Sequence, residues 1–224
     1  MDTIKWLMKK LKSMYGEMSE WWPGETPFHI AIGAILTQNT TWTSAYKSLQ
    51  NLIQAGLDTP GALYEADINT LMELIRPSGF MRQKAHYLKN LAEFVCRDLK
   101  CRLENLRYVD NPREKLLGVK GIGKETADSI LLYGLHLPYF VVDAYTKRLL
   151  SRLGIIDQKT YYDDIARLFT ENLPKDVKLY QEYHALIVEH AKRRCKKKNP
   201  LCQSCLLKDQ YLVGKKEDQD TQDV

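Results

Sequence analysis

Three closely spaced cysteines, a glycine-rich turn and one aspartate behind an apolar run are the parts of this 224-residue sequence whose types and spacing can do chemistry. Cys195, Cys202 and Cys205 are separated by six and two residues, a density that suits thiolate ligation of a metal better than a disulfide framework. Cys96 and Cys101 lie far upstream and read as helix residues. In Leu117-Gly118-Val119-Lys120-Gly121-Ile122-Gly123-Lys124-Glu125-Thr126-Ala127-Asp128, glycines two apart let the backbone turn tightly and approach a ligand. A helix begins there, and the N–H groups of a helix start attract an anion such as phosphate. Lys120 and Lys124 add charge, and contacts of this kind position a polyanion without reading its sequence. By itself the Gly-x-Gly pattern equally describes an ordinary helix start. Asp143 follows Tyr139-Phe140-Val141-Val142 and precedes an expected helix over Ala144 to Leu153. It reads both as that helix's N-cap and as a partly desolvated carboxylate with a strengthened field.

The elements that must carry these residues are helical. Leu88, Leu91, Ala92, Val95 and Leu99 repeat at the spacing of a stripe on a core-facing helix, and no stretch sustains strand alternation. Trp22-Pro23-Gly24, Asp58-Thr59-Pro60-Gly61, Arg76-Pro77-Ser78-Gly79 and Leu137-Pro138 break the chain into helices of ordinary length. The expected class is all-α, with enough residues for two small lobes. A composition of 44% hydrophobic and 27% charged residues excludes general disorder, leaving only Lys215 to Val224 as an expected disordered tail. The net charge of +5 suits a polyanion-binding protein without requiring one. The N-terminal segment is amphipathic and lysine-bearing, without the apolar core of a signal peptide, and no run reaches membrane-spanning length. A cytoplasmic location follows as the expectation, with no membrane partner.

The hairpin segment Leu117 to Ala127, followed sixteen residues later by Asp143 within Phe140-Val141-Val142-Asp143-Ala144-Tyr145-Thr146-Lys147-Arg148, resembles the signature of the endonuclease III (helix-hairpin-helix DNA glycosylase) superfamily. The resemblance runs from about Phe28 to Cys205. It implies a two-lobed fold: a core lobe over about 28–145 with the hairpin at 117–127, a second lobe from the N-terminal segment and 146–194, and a cysteine loop over 195–211. It also implies a monomeric enzyme acting on double-stranded DNA that contains a damaged base. The aspartate of such enzymes faces the sugar of a flipped nucleotide, stabilises its oxocarbenium-like transition state and orients or deprotonates the attacking water. Members that also nick the strand use a lysine amine as nucleophile. Here that position holds Glu125, with Lys124 one residue earlier and so rotated by about 100°. A water-using, monofunctional glycosylase is the expectation. The two rivals are a bifunctional glycosylase and lyase for oxidised pyrimidines using Lys124, and a DNA-binding module without catalysis.

Within the superfamily, Trp21-Trp22-Pro23, Leu36-Thr37-Gln38-Asn39-Thr40, Arg76-Pro77-Ser78-Gly79-Phe80 and Gly121-Ile122-Gly123-Lys124-Glu125 look like the 3-methyladenine glycosylase branch. That resemblance assigns Gln38, with Asn39 beside it, to fill the gap left by a flipped base. It sets Trp21, Trp22, Trp42 and Glu125 near the base pocket, where indole faces would favour a cationic alkylated purine. Any of these tryptophans could equally be a core residue. Arg82 and Lys84 are expected, with Gly121, Gly123, Lys120 and Lys124, to meet DNA phosphates. The cysteine spacing reproduces three of four ligands of the family's 4Fe-4S loop, but the fourth place holds Tyr211. Tyr211 or Asp209 is then a candidate fourth ligand, and zinc held by the three cysteines is the alternative. Arg193, Arg194, Lys196, Lys197 and Lys198 would make the adjoining loop DNA-facing. Histidines 29, 86, 136, 184 and 190 form no pairing in the sequence and are assigned no role.

Overall fold

The computed structural model describes residues 3–18, 22 and 25–208, so Trp21, Asp209, Tyr211 and the tail from Lys215 lie outside the described residues. Eleven α-helices and short 3₁₀ and π turns account for the regular structure, and no strand occurs among the described residues. No helix there is long and apolar enough to cross a membrane. The chain divides between Leu137 and Pro138 into two compact units. Asp143, grouped with the hairpin by the sequence reading, falls in the unit that contains the N- and C-terminal parts.

The unit from Trp22 to Leu137 is built on α2 (Pro27–Leu36), whose sequence PFHIAIGAIL is apolar on every side. Residues 28–36 are all buried, as a helix without a polar face requires. Thr26 caps it by accepting from the His29 N–H at 3.1 Å, and Pro27 stands where a helix needs no N–H. Around it pack α3 (Trp42–Gln54), α6 (Met81–Asp98) and α8 (Lys124–Ser129), the last continued by a π turn over Ile130–Gly134. The breakers act as expected. Thr59 and Pro60 open α4 (Pro60–Glu65), Asp67 opens α5 (Ile68–Leu74), and Arg76–Ser78 form a 3₁₀ turn closed by Gly79 at φ 68°. The stripe Leu88, Leu91, Ala92 and Val95 is buried on α6, with Leu99 as its C-cap.

Cys96 and Cys101 depart from the helix-only reading. The chain leaves α6 through Lys100 and Cys101 in left-handed backbone, at φ 54° and 55°, and folds Cys101 back onto Cys96 as a disulfide. A helical projection cannot report that turn, because it lies past the helix end.

The other unit combines α1 (Thr3–Tyr15), α9 (Ala144–Arg152), α10 (Tyr162–Asn172) and α11 (Val177–Arg193). Ile4, Leu7, Met8 and Leu11 bury one face of α1 and leave its lysines outside. The core is aromatic: Phe140 stacks on Phe169 at 3.7 Å, and the Tyr180 and Tyr183 rings meet Phe140 edge-on. Tyr183 donates its hydroxyl to the Ile4 carbonyl at 2.7 Å, tying α11 to α1.

Candidate active site

In the hairpin unit, α7 (Pro112–Leu117) and α8 are joined by the glycine turn. A half-buried ion pair fixes them: Arg113 donates through Nε and Nη2 to the two oxygens of buried Asp128, at 2.6 and 3.0 Å. The bidentate fork sets both distance and angle between the helices. Gly121 sits at φ 102°, a conformation closed to ordinary side chains, and an added Cβ would fall 2.1 Å from Cδ1 of Tyr87. The Lys120 carbonyl accepts from Asn90 Nδ2 at 2.9 Å, so α6 holds the turn from two residues. Lys120, Gly123, Lys124 and Glu125 are exposed, the last three at the start of α8, and Gly123 caps that helix without any side-chain bond. The start of α8 is thus accessible to solvent, with Lys120 and Lys124 beside the acidic Glu125.

Gln38 lies in the turn that follows α2, beside Asn39 in left-handed backbone at φ 55°. Its Nε2 donates to the Gly121 carbonyl and to Thr126 Oγ1, both at 3.0 Å. Both N–H bonds of the amide are thus committed to the hairpin. Asn39 is exposed and Arg82 is exposed.

Lys84 corrects its expected role. It is 2% exposed, and its Nζ donates to the carbonyls of Leu36 and Ser78, each at 2.7 Å. An amine turned into the core cannot clamp a phosphate. It instead ties the end of α2, two residues before Gln38, to the turn before Phe80. Burial pushes its pKa down to about 8, and a neutral amine still carries the two N–H bonds those carbonyls need.

Trp22 and Trp42 meet edge to face at 5.3 Å, and Trp22 stacks on Tyr133 from the π turn at 5.0 Å. Gly33 makes room for them, since a Cβ there would stand 3.3 Å from Trp42. Both tryptophans are half-buried, so the cluster is packed yet reaches the surface. Tyr133 was not predicted; nothing in its local sequence separates it from a core residue. Phe80 was also missed as a site residue. It is 62% exposed in left-handed backbone at φ 48°, an aromatic presented to solvent from a strained turn.

In the other unit, Asp143 caps α9 as predicted. Its Oδ1 accepts from the Thr146 N–H at 2.7 Å and from the Thr146 hydroxyl at 2.9 Å. Oδ2 lies 3.4 Å from Nε2 of His184, a buried residue of α11 that the sequence reading left without a role. Burial raises the Asp143 carboxyl, but His184 and Thr146 more than offset it and hold it below the ordinary carboxylate value. The apolar run before it, Phe140 to Val142, is buried as expected.

The same unit holds the cysteines. Cys195, Cys202 and Cys205 are free thiols lining one small cavity together with His190. Arg152 donates to Cys195 Sγ and the Leu207 N–H to Cys205 Sγ, both at 3.4 Å. Burial raises the Cys205 thiol, with the Leu207 amide only partly offsetting it. His190 places Nε2 3.6 Å from Cys205 Sγ, and its Nδ1 meets the Tyr15 hydroxyl at 3.0 Å. Burial, with Arg194 adding to it, pushes His190 down to about 4, so the ring is neutral. Among the described residues no three His, Cys, Asp or Glu converge on a single-ion site. Of the five basic residues around this loop, Arg194 bonds to Ser204 and Arg193 pairs with Glu189; Lys196, Lys197 and Lys198 are exposed.

Comparison with known proteins gives this geometry a lineage. Residues 32–175 match the family described as HhH-GPD superfamily base excision DNA repair protein. A Methanocaldococcus jannaschii protein named for DNA repair glycosylase activity is 46% identical over 212 residues, 93% of this chain and 95% of its own. The structure of a Helicobacter pylori 3-methyladenine DNA glycosylase bound to 1,N6-ethenoadenine is 33% identical, with a TM-score of 0.74, covering 86% of this chain and 98% of that one. An endonuclease III in a non-covalent complex with DNA shares the fold at a TM-score of 0.83 and 21% identity, over 97% of both chains. The chain therefore belongs to the HhH-GPD superfamily of base excision DNA repair proteins, and its enzyme class is DNA glycosylase.

Proposed function

We propose that this glycosylase is monofunctional, binds double-stranded DNA as a monomer, and hydrolyses the N-glycosidic bond of alkylated purines such as 3-methyladenine through water. The observation that carries this reading is Glu125 in the place where a lyase needs an amine, with Lys124 one residue and about 100° away on the same helix turn. Without an amine nucleophile, the bond to C1′ must be made by water. Departure of the base takes the glycosidic electron pair, positive charge grows on the sugar, and the ionised Asp143 is the group suited to stabilise it. Water then bonds to C1′ and its proton passes to Asp143 or solvent. A cationic alkylated purine leaves without prior protonation, so no general acid is required of the site.

The Trp22, Trp42 and Tyr133 cluster supplies π faces to which such a base is attracted beyond stacking. The similarity to the H. pylori 3-methyladenine glycosylase supports the same class of base. Gln38 and the exposed Phe80 are the side chains suited to enter the duplex when the base is flipped. Gly121, Gly123, Lys120, Lys124 and Arg82 are suited to phosphate contact, joined by Lys196, Lys197 and Lys198.

The test combines an excision panel of alkylated, oxidised and mismatched duplexes with borohydride trapping on abasic DNA. Free alkylated purine with no trapped adduct is expected. A covalent adduct that disappears in Lys124→Ala would instead make the chain a lyase for oxidised pyrimidines.

Cys195, Cys202 and Cys205 fit a 4Fe-4S cluster by donor type, by sharing one cavity, and by the N–H donors directed at their sulfurs. Each iron of a cluster takes its own thiolate, so a cluster requires less convergence than one zinc ion does. Such a group would brace α11 against the loop at Cys202. Freshly purified protein is expected to absorb near 400 nm, and to lose that band in Cys202→Ala; zinc without such a band would reassign the metal.

A further inference from the structure

We infer that His184 is the positioning residue for Asp143, holding its carboxylate in the orientation needed at the sugar, an inference that rests on the glycosylase reading above. The Asp143 Oδ1 atom is saturated locally, because both Thr146 donors belong to the helix that Asp143 itself caps. A carboxylate oxygen has two lone-pair sites, so Oδ1 has none left. Oδ2 must therefore do the chemistry, and the group beside it is His184 Nε2, 3.4 Å away and 41 positions on in the chain. The His184 side chain is 3% exposed, against 12% for Asp143. The imidazole is thus locked in the packed interior of its unit, and the carboxylate retains a route to solvent.

Neither Thr146 bond involves Oδ2, so that oxygen keeps acceptor capacity for water or the sugar. His184 Nε2, held beside Oδ2 at 3.4 Å by the packing of α11, limits rotation of the carboxylate plane. The Thr146 bonds alone cannot do this, since both pull on the same oxygen. A mere core histidine would require no carboxylate beside it, and its removal would alter stability without regard to Asp143.

The experiment compares His184→Leu and His184→Gln, each alone and with Asp143→Asn, in single-turnover base release and in DNA binding. His184→Leu is expected to slow release by about 30-fold with DNA affinity kept within about threefold, a split between chemistry and binding. His184→Gln, which retains an N–H at similar reach, is expected to recover most of that loss. In the Asp143→Asn background, His184→Leu should cost less than about threefold more, because the partner it serves is gone. Equal losses in both backgrounds, or a wild-type rate in His184→Leu, would overturn the inference.

Ring nitrogen NMR of histidine-labelled protein needs no substrate and separates this inference from the glycosylase reading. It is expected to find His184 carrying its proton on Nε2, with a resonance that moves in Asp143→Asn. An Nδ1–H tautomer would overturn the positioning role even in an active enzyme. A wild-type protein that releases no base but gives the expected spectra would overturn the glycosylase reading and leave the pairing in place.

Discussion

Asp143→Asn is expected to reduce single-turnover base release by about 10³-fold while leaving DNA affinity within a few-fold. Asparagine keeps the shape of the side chain and an acceptor oxygen for Thr146, so the cap of α9 survives. What it removes is the negative charge, which matters only as positive charge develops on the sugar. The loss should therefore fall on the rate and not on binding, and a filter-binding assay beside the rate measurement separates the two. The wild-type pH profile should agree. Because the Asp143 pKa lies below the ordinary carboxylate value, the acid-limb loss due to this group begins only as pH falls through that lowered value. A wild-type rate in Asp143→Asn would remove the carboxylate from the mechanism.

Gly121→Ala is expected to destabilise the hairpin unit by about 3 kcal/mol or more, lowering its thermal midpoint by roughly 6–12 °C, and to weaken DNA binding. Two costs combine. The backbone at φ 102° is closed to alanine, and the new methyl would stand 2.1 Å from the Tyr87 ring near its root, where rotating the ring about its own axis cannot clear it. Relief requires the whole Tyr87 side chain or the turn to move, and the turn carries the Gly121 carbonyl that holds Gln38. Tyr87→Ala added to Gly121→Ala removes the clash but not the backbone strain, so the double variant should recover part of the stability and never all of it. Calorimetry on Gly121→Ala, Tyr87→Ala and the double variant measures the division. Full recovery would mean that the left-handed backbone carries no cost here.

The parts of the site that were legible in the sequence are those whose chemistry is local. The glycine turn was visible because a left-handed residue and a helix start leave their mark within a few positions, and Asp143 as an N-cap because its partner is three residues away. The helical stripe on α6 was visible for the same reason, its period being a property of one segment. Lys84 was misread by the same logic. Next to Arg82 in a basic turn it reads as a surface cation, but the Leu36 carbonyl, 48 positions earlier, and the Ser78 carbonyl together hold it inward.

The sequence by itself carried the family resemblance, the all-helical class, the glycine turn and the capping role of Asp143, since these depend on residue types and short spacings. Only the tertiary structure decided which groups act on them from a distance: His184 on Asp143, Gln38 on the hairpin, Tyr87 beneath Gly121, Tyr133 against Trp22, and Cys101 folded back onto Cys96. Except for the last, where the helix end intervenes, each joins segments dozens of positions apart. Packing brings such segments together to bury apolar surface, and the polar pairs that result follow from the fold rather than from any pattern along the chain.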